Sequence, residues 1–241
     1  MIVELEQNNG VAEIVLNHPK TRNAITGPMG MALADALNSA SKDEQTKCVL
    51  LRGAEGAFCS GLNLKEFNAE PPPPWLKDFG KIWRNAHLAL FNCPKPIVVA
   101  LEKFAINGGA ALALAGDLLV VGEDSYLQVG EVRQGMAAPY NMAWLRLRFS
   151  EYIAAQLTIS GRRYTGAELL NKGIAYAAPS TSDTVSAARE ICAELASFPR
   201  DALQRIKTVM CAYRPEDGSA WFDQATANSS NSVKPSKVIG G

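Results

Sequence analysis

Residues 57–65 read Ala57-Phe58-Cys59-Ser60-Gly61-Leu62-Asn63-Leu64-Lys65. An apolar run ends, a glycine follows, and a short helix is predicted from Leu62 to Phe67. A strand leaving through a glycine turn into a helix aims free backbone N–H groups outward. Such groups can hold an oxyanion. On local sequence alone a plain strand-to-helix turn explains the stretch equally well. Two nucleophile readings fare worse. An elbow at Ser60 needs Gly-x-Ser-x-Gly, and Phe58 occupies the first glycine position. Cys59 has no histidine near it in sequence to activate a thiol.

Upstream, Cys48 to Leu51 is a short all-apolar strand, the pattern of a strand covered on both faces. Pro28 opens a helix at about Met29 to Ser41. Val3 to Glu6 and Val11 to Leu16 form a hairpin about Asn8-Asn9-Gly10, and Asn17 to Ile25 reads as a polar loop. Downstream, Pro71 to Pro74 is extended or loop-like, and Trp75 to Phe91 returns to helix. The motif then recurs. Pro96 to Leu101 is a buried strand, and Ile106-Asn107-Gly108-Gly109-Ala110-Ala111 exits into a helix over Gly109 to Ala115. Small residues there allow close approach of a ligand, or merely tight helix packing. Two such turns together could supply two N–H donors to one oxygen.

Asp117 to Val121 is strand again, and a third segment follows: Val129-Gly130-Glu131-Val132-Arg133-Gln134-Gly135-Met136-Ala137-Ala138-Pro139-Tyr140. Its apolar neighbours would desolvate Glu131, raise its pKa and suit it for proton transfer. On local evidence a solvated Glu131–Arg133 pair is the simpler reading. Helices are predicted over Leu145 to Ser160, Thr165 to Asn171, Thr184 to Ala196 and Arg200 to Ala212, with no strand after Ser182. Ser229 to Gly241 is polar and reads as a frayed end.

Composition narrows the function classes. A chain of 241 residues holds one large domain or two small ones, and 47% hydrophobic content excludes global disorder. The 24 basic and 24 acidic residues cancel, which argues against a nucleic-acid partner. Five scattered cysteines and two histidines give a zinc site little to work with. The thiols read as reduced, buried small hydrophobes of a cytoplasmic protein. MIVELEQNNG is neither a signal nor a transit sequence, and Ile239-Gly240-Gly241 is no receptor-read address. The apolar run Ala105 to Val121 is interrupted by Asn107, glycines and Asp117, so helix plus buried strand is expected there and no membrane span.

Taken together, the segments resemble the crotonase (enoyl-CoA hydratase/isomerase) superfamily over about Val3 to Ala196. The residues carrying the resemblance are Leu16-Asn17-His18-Pro19-Lys20-Thr21-Arg22-Asn23-Ala24, Phe58 to Glu66, Asn107-Gly108-Gly109 through Ala115-Gly116-Asp117, Gly130-Glu131 and Gly135. The resemblance implies an α/β fold, a spiral of ββα units over 1–196, with a helical oligomerisation region over 197–241. It implies trimers or pairs of trimers and an acyl-CoA thioester ligand. By position, the backbone N–H groups of Leu62 and Gly108 correspond to the family's oxyanion hole. Glu131 corresponds to one of the hydratases' two glutamates, while Ala111 stands at the other position. One base suffices for a double-bond isomerase, which removes a C2 proton and returns it to C4. The segment Glu131 to Tyr140 is also similar to single-glutamate Δ3,Δ2-enoyl-CoA isomerases, whose Gly-Leu-Asp-Leu reads Gly61-Leu62-Asn63-Leu64 here.

The same resemblance puts Lys20, Arg22, Ala24 and Leu64 along the CoA path. The acyl wall would draw on Phe67, Trp75, Trp83, Met136, Tyr140 and Trp144, all of which are equally readable as core. CoA enters as part of the substrate, and no metal or redox cofactor is expected. Trp221-Phe222-Asp223-Gln224 departs from the family's usual ending, which puts CoA contacts from another subunit in doubt. Hydration, hydrolysis, decarboxylation, epoxide isomerisation and non-catalytic acyl-CoA binding are the alternative functions.

Overall fold

The computed structural model describes residues 1–229. Strands β1 (Val3–Asn8) and β2 (Val11–Leu16) form the expected antiparallel hairpin, with Asn9 and Gly10 at positive φ in its turn. Helix α1 (Gly27–Lys42) starts under a Thr26 cap with Pro28 in its first turn. Strand β3 (Cys48–Gly53) pairs parallel with β2, and the short α2 (Leu64–Phe67) follows. After α3 (Phe79–Asn92), β4 (Ile97–Leu101) joins β3 in parallel, and β5 (Phe104–Ile106) leads into α4 (Gly108–Leu114). Strands β6 (Leu118–Val121) and β7 (Tyr126–Gln128) repeat the pattern and end in a 3-10 turn over Glu131–Gln134. The larger sheet runs β1-β2-β3-β4-β6. Both its faces are covered, one by α1 and α3, the other by α8 (Thr184–Ser197), as its continuous apolar strands require. The spiral of ββα units is the fold of the chain.

A second sheet decides where the chemistry can sit. Strand β5 pairs parallel with β7, and β7 pairs antiparallel with β8 (Arg163–Thr165). Cys59 bridges Ala105, and Ala105 faces Leu127. Three neighbouring backbones therefore leave this layer side by side. Leu62, Gly108 and Gly130 each lie three residues past their bridged position, and Glu131 comes next.

Several expectations need correction. The single helix over Leu145 to Ser160 is two, α5 (Pro139–Arg148) and α6 (Glu151–Ser160). Pro139 starts the first earlier, and extended Phe149 and Ser150 break the chain before the Ser150 side chain caps Ile153. Helix α3 begins only at Phe79, after a 3-10 turn over Leu76–Asp78. Helix α2 begins two residues later than predicted, because Asn63 caps it. Strands β5, β7 and β8 have three residues each, too few for a periodicity signal. Helix α7 (Gly166–Asn171) carries a Thr165/Glu168 capping box, and α9 (Arg200–Cys211) follows α8. Helix α10 (Gly218–Ala227), not anticipated, is capped by Asp217. It folds back on α3 and α5 of its own chain. Beyond Ser229 the proposed frayed end lies outside the described residues. Among those residues, no helix is long and apolar enough to cross a membrane.

Candidate active site

The first donor is fixed by a short parallel pairing. Ile25 N–H donates to the Gly61 carbonyl at 2.8 Å, and Asn63 N–H donates to the Ile25 carbonyl at 2.9 Å. Alternate backbone groups of an extended segment face opposite ways, so the Leu62 N–H points away from Ile25. The second donor opens α4 at Gly108, where first-turn N–H groups have no intrahelical partner. Neither N–H has an acceptor among the described residues.

Close backbone approach brings the two turns together. Gly61 has φ +87°, and a Cβ there would lie 3.0 Å from the Ile106 carbonyl oxygen. A Cβ on Gly109 would lie 2.6 Å from the Cys59 carbonyl oxygen. At Gly108 it would meet Ile25 Cδ1 at 2.8 Å and Trp83 at 3.6 Å. The floor between the turns is therefore backbone, and its apolar neighbours are Ile25 and Trp83. Asn63 caps α2 through Glu66 N–H at 3.3 Å and donates to Glu66 Oε1 at 2.7 Å, which accounts locally for an amide at this position.

Glu131 is 8% exposed and makes no ion pair with Arg133, whose Nε donates to the Gly161 carbonyl. The solvated-pair alternative is thus replaced by a buried carboxyl. Asn141 Nδ2 donates to Glu131 Oε1 at 2.8 Å and to the Asn107 carbonyl at 3.0 Å. Asn107 Oδ1 in turn accepts the Gly130 N–H at 2.8 Å. One amide side chain therefore ties the carboxyl to the residue preceding the Gly108 donor. Burial pushes the Glu131 pKa up to about 7, against the lowering effect of its own backbone N–H and of Asn141. Its Oε2 has no partner. A carboxyl poised near neutrality with a free oxygen can accept and return a proton.

The other sequence-derived residues fall into three groups. Lys20, Arg22 and Ala24 lie in the loop that Ser60 holds, its N–H on the Arg22 carbonyl and its Oγ on the Thr21 carbonyl. Lys20 and Arg22 are exposed and Ala24 is buried. Leu64 follows, its N–H on the Leu62 carbonyl. Phe67 packs edge-on to Trp75 at 5.2 Å and to Phe79 at 4.6 Å, and Phe79 stacks on Trp83. Tyr140 stacks on His87 at 4.5 Å with its hydroxyl bonded to Thr226, so its ring faces inward and its polar end faces α10. Trp144 is fully buried behind His87, to which its indole N–H donates. Met136 is half-buried, its N–H on the Glu131 carbonyl. Cys59 is buried with its pKa pushed up to about 12, the opposite of an activated thiol.

Sequence reasoning missed Asn141, His87 and Phe222. Asn141 and Glu131 meet through a helix start that no local pattern ties to the 3-10 turn. Phe222 is fully buried against His87, Tyr140 and Trp144. An aromatic and an acid in Trp221-Phe222-Asp223 were the available signal, since Asp223 pairs with Arg84 of α3 at 2.6 Å.

Residues 6–236 match the family model described as Enoyl-CoA hydratase/isomerase. The chain is 26% identical to 1,2-epoxyphenylacetyl-CoA isomerase of Escherichia coli (strain K12), over 82% of this chain and 77% of that protein. It is 29% identical to enoyl-CoA hydratase EchA19 of Mycobacterium tuberculosis, over 70% of this chain and 65% of that one. It also resembles the mitochondrial Delta(3,5)-Delta(2,4)-dienoyl-CoA isomerase of Mus musculus, 26% identical over 82% and 64%. Among solved structures, an enoyl-CoA hydratase/isomerase from Pseudoalteromonas atlantica T6c superposes with TM-score 0.83 at 23% identity, covering 94% of this chain and 89% of that one. Pseudomonas aeruginosa OdaA gives 0.81 at 24%, covering 93% and 90%. At these identities the structures share the fold.

Proposed function

This chain belongs to the enoyl-CoA hydratase/isomerase family, and from that premise we propose that it moves a double bond in an enoyl-CoA thioester from the 3- to the 2-position. The thioester oxygen sits between the Leu62 and Gly108 N–H groups. Glu131 as carboxylate takes a proton from C2, and the electron pair moves onto that oxygen as an enolate. Two preorganised donors stabilise the charge where it develops, and one such donor contributes on the order of 3 kcal/mol in other enzymes. The protonated Glu131 then delivers its proton to C4, and the enolate collapses into the conjugated product. CoA would run past Lys20, Arg22, Ala24 and Leu64, with the acyl chain against Phe67, Trp75, Met136 and Tyr140 and with Trp144 behind.

The observation that carries the reading is a single buried carboxyl near neutrality, tied by Asn141 to the Gly108 turn, with Ala111 fully buried where a hydratase has its second glutamate. Assembly into trimers would cover the exposed apolar side chains of α9, Ile206, Val209 and Met210. The decisive measurement is ultraviolet absorbance on mixing with a trans-3-enoyl-CoA. Wild type should develop the conjugated 2-enoyl thioester, and Glu131→Gln should be slower by on the order of a thousandfold. Hydration of a 2-enoyl-CoA with no isomerisation would move the assignment to the hydratase reading. Unchanged turnover in Glu131→Gln would end the single-base mechanism.

A further inference from the structure

His87 is the buried titratable group that this chemistry leaves unused. It lies on α3 with no exposed surface. Its Nδ1 accepts the Trp144 indole N–H at 2.9 Å, which in the neutral ring places the proton on Nε2. Nε2 has no partner among the described residues. Burial holds the pKa down at about 3, so the ring stays neutral and Nε2–H stays a donor across the physiological range. A buried donor with no acceptor is costly, and its persistence calls for one that arrives with a ligand.

The position of the ring says which ligand. On one side it meets Trp83 perpendicularly at 4.6 Å, and Trp83 is the ring nearest the Gly108 donor. On the other it stacks on Tyr140, next in sequence to the Asn141 that holds Glu131. His87 thus stands between the wall of the oxyanion turn and the helix that positions the base. The polar ends of its neighbours Trp144 and Tyr140 are already engaged. Resting on the acyl-CoA reading above, we infer that His87 is a specificity residue whose Nε2–H donates to a neutral keto or hydroxyl oxygen on the distal half of the acyl chain. The preferred substrates are then oxygenated acyl thioesters, since a hydrocarbon chain leaves that donor unpaired.

The test uses saturated thioesters, which need no proton transfer. Nitrogen-15-labelled protein has only two histidines, so its imidazole spectrum is simple. Octanoyl-CoA is titrated beside octanoyl-CoA analogues with a keto group at successive distal carbons, and affinities are measured in parallel. One analogue should move the His87 Hε2 resonance downfield and bind about tenfold or more tightly than octanoyl-CoA. That preference should vanish in His87→Phe; the wild-type resonance stands by itself if the variant folds poorly. Equal affinities with an unmoved resonance would overturn the inference and assign Nε2–H to the Trp83 face or a trapped water, leaving the isomerase reading intact. Failure of every thioester to bind would overturn both.

Discussion

Glu131 and Asn141 form a unit, and the unit has a pH signature. The carboxyl must be ionised to take the C2 proton. Its pKa of about 7, against a usual 4.5, delays that ionisation. Activity measured as kcat/KM should therefore rise through an acid limb near pH 7. Asn141 donates to the ionised form and lowers the pKa, while burial raises it. Asn141→Leu should move the limb to higher pH and lower the plateau, whereas a purely structural role would lower the plateau alone. Asn141 also bonds the carbonyl of Asn107, which sits at φ 52°, ψ −114°. Such a backbone costs on the order of 1–3 kcal/mol in a non-glycine residue. The bonds from Asn141 and from Gly130 to Asn107 offset it.

Elements explain why some of this was legible in the sequence. Continuous apolar runs marked β3, β4 and β6, because strands covered on both faces leave no alternation to misread. Glycine-marked exits located the Leu62 and Gly108 turns for the same local reason. The second sheet was invisible, since β5, β7 and β8 are set by pairing across the molecule and not by their own pattern. Yet that sheet aligns the three exits. The tightest point is Gly109, where an added Cβ would strike backbone, the Cys59 carbonyl oxygen at 2.6 Å. At Gly108 the first obstacle is the mobile end of Ile25 at 2.8 Å. Gly109→Ala should thus cost about 1–3 kcal/mol in denaturant unfolding and weaken catalysis by parting the turns. Gly108→Ala should cost less stability. The reverse order would mean that the exits are not held by this contact.

At the scale of the whole molecule, buried ionisable groups give the stability a definite shape with pH. Unfolded His87 takes a proton near its usual 6.5, but folded His87 only at about 3. Between those values the unfolded state binds more protons, so stability falls as pH falls, with a limiting slope of about 1.4 kcal/mol per pH unit. Glu131 has the opposite sign. Folded, it protonates at about 7; unfolded, near 4.5. Between these the folded state binds more, and stability rises as pH falls. Asp117 sides with His87. Burial raises its pKa, but Lys207 of α9 at 2.7 Å and Arg148 of α5 at 3.2 Å outweigh it and hold the carboxyl below the usual 3.8. That contribution is present above 3.8 and lost as pH falls through the folded value. From pH 6.5 to 4.5 the His87 and Glu131 contributions oppose each other, and below 4.5 only the destabilising pair remains. Urea unfolding across this range should show a shallow dependence above pH 4.5 and a steep loss below it. His87→Phe should flatten the steep part, and Glu131→Gln should make the upper part slope downward toward acid. A wild-type curve that falls uniformly from pH 6.5 would show that Glu131 does not carry its extra proton in the folded state, and the catalytic assignment would lose its electrostatic basis.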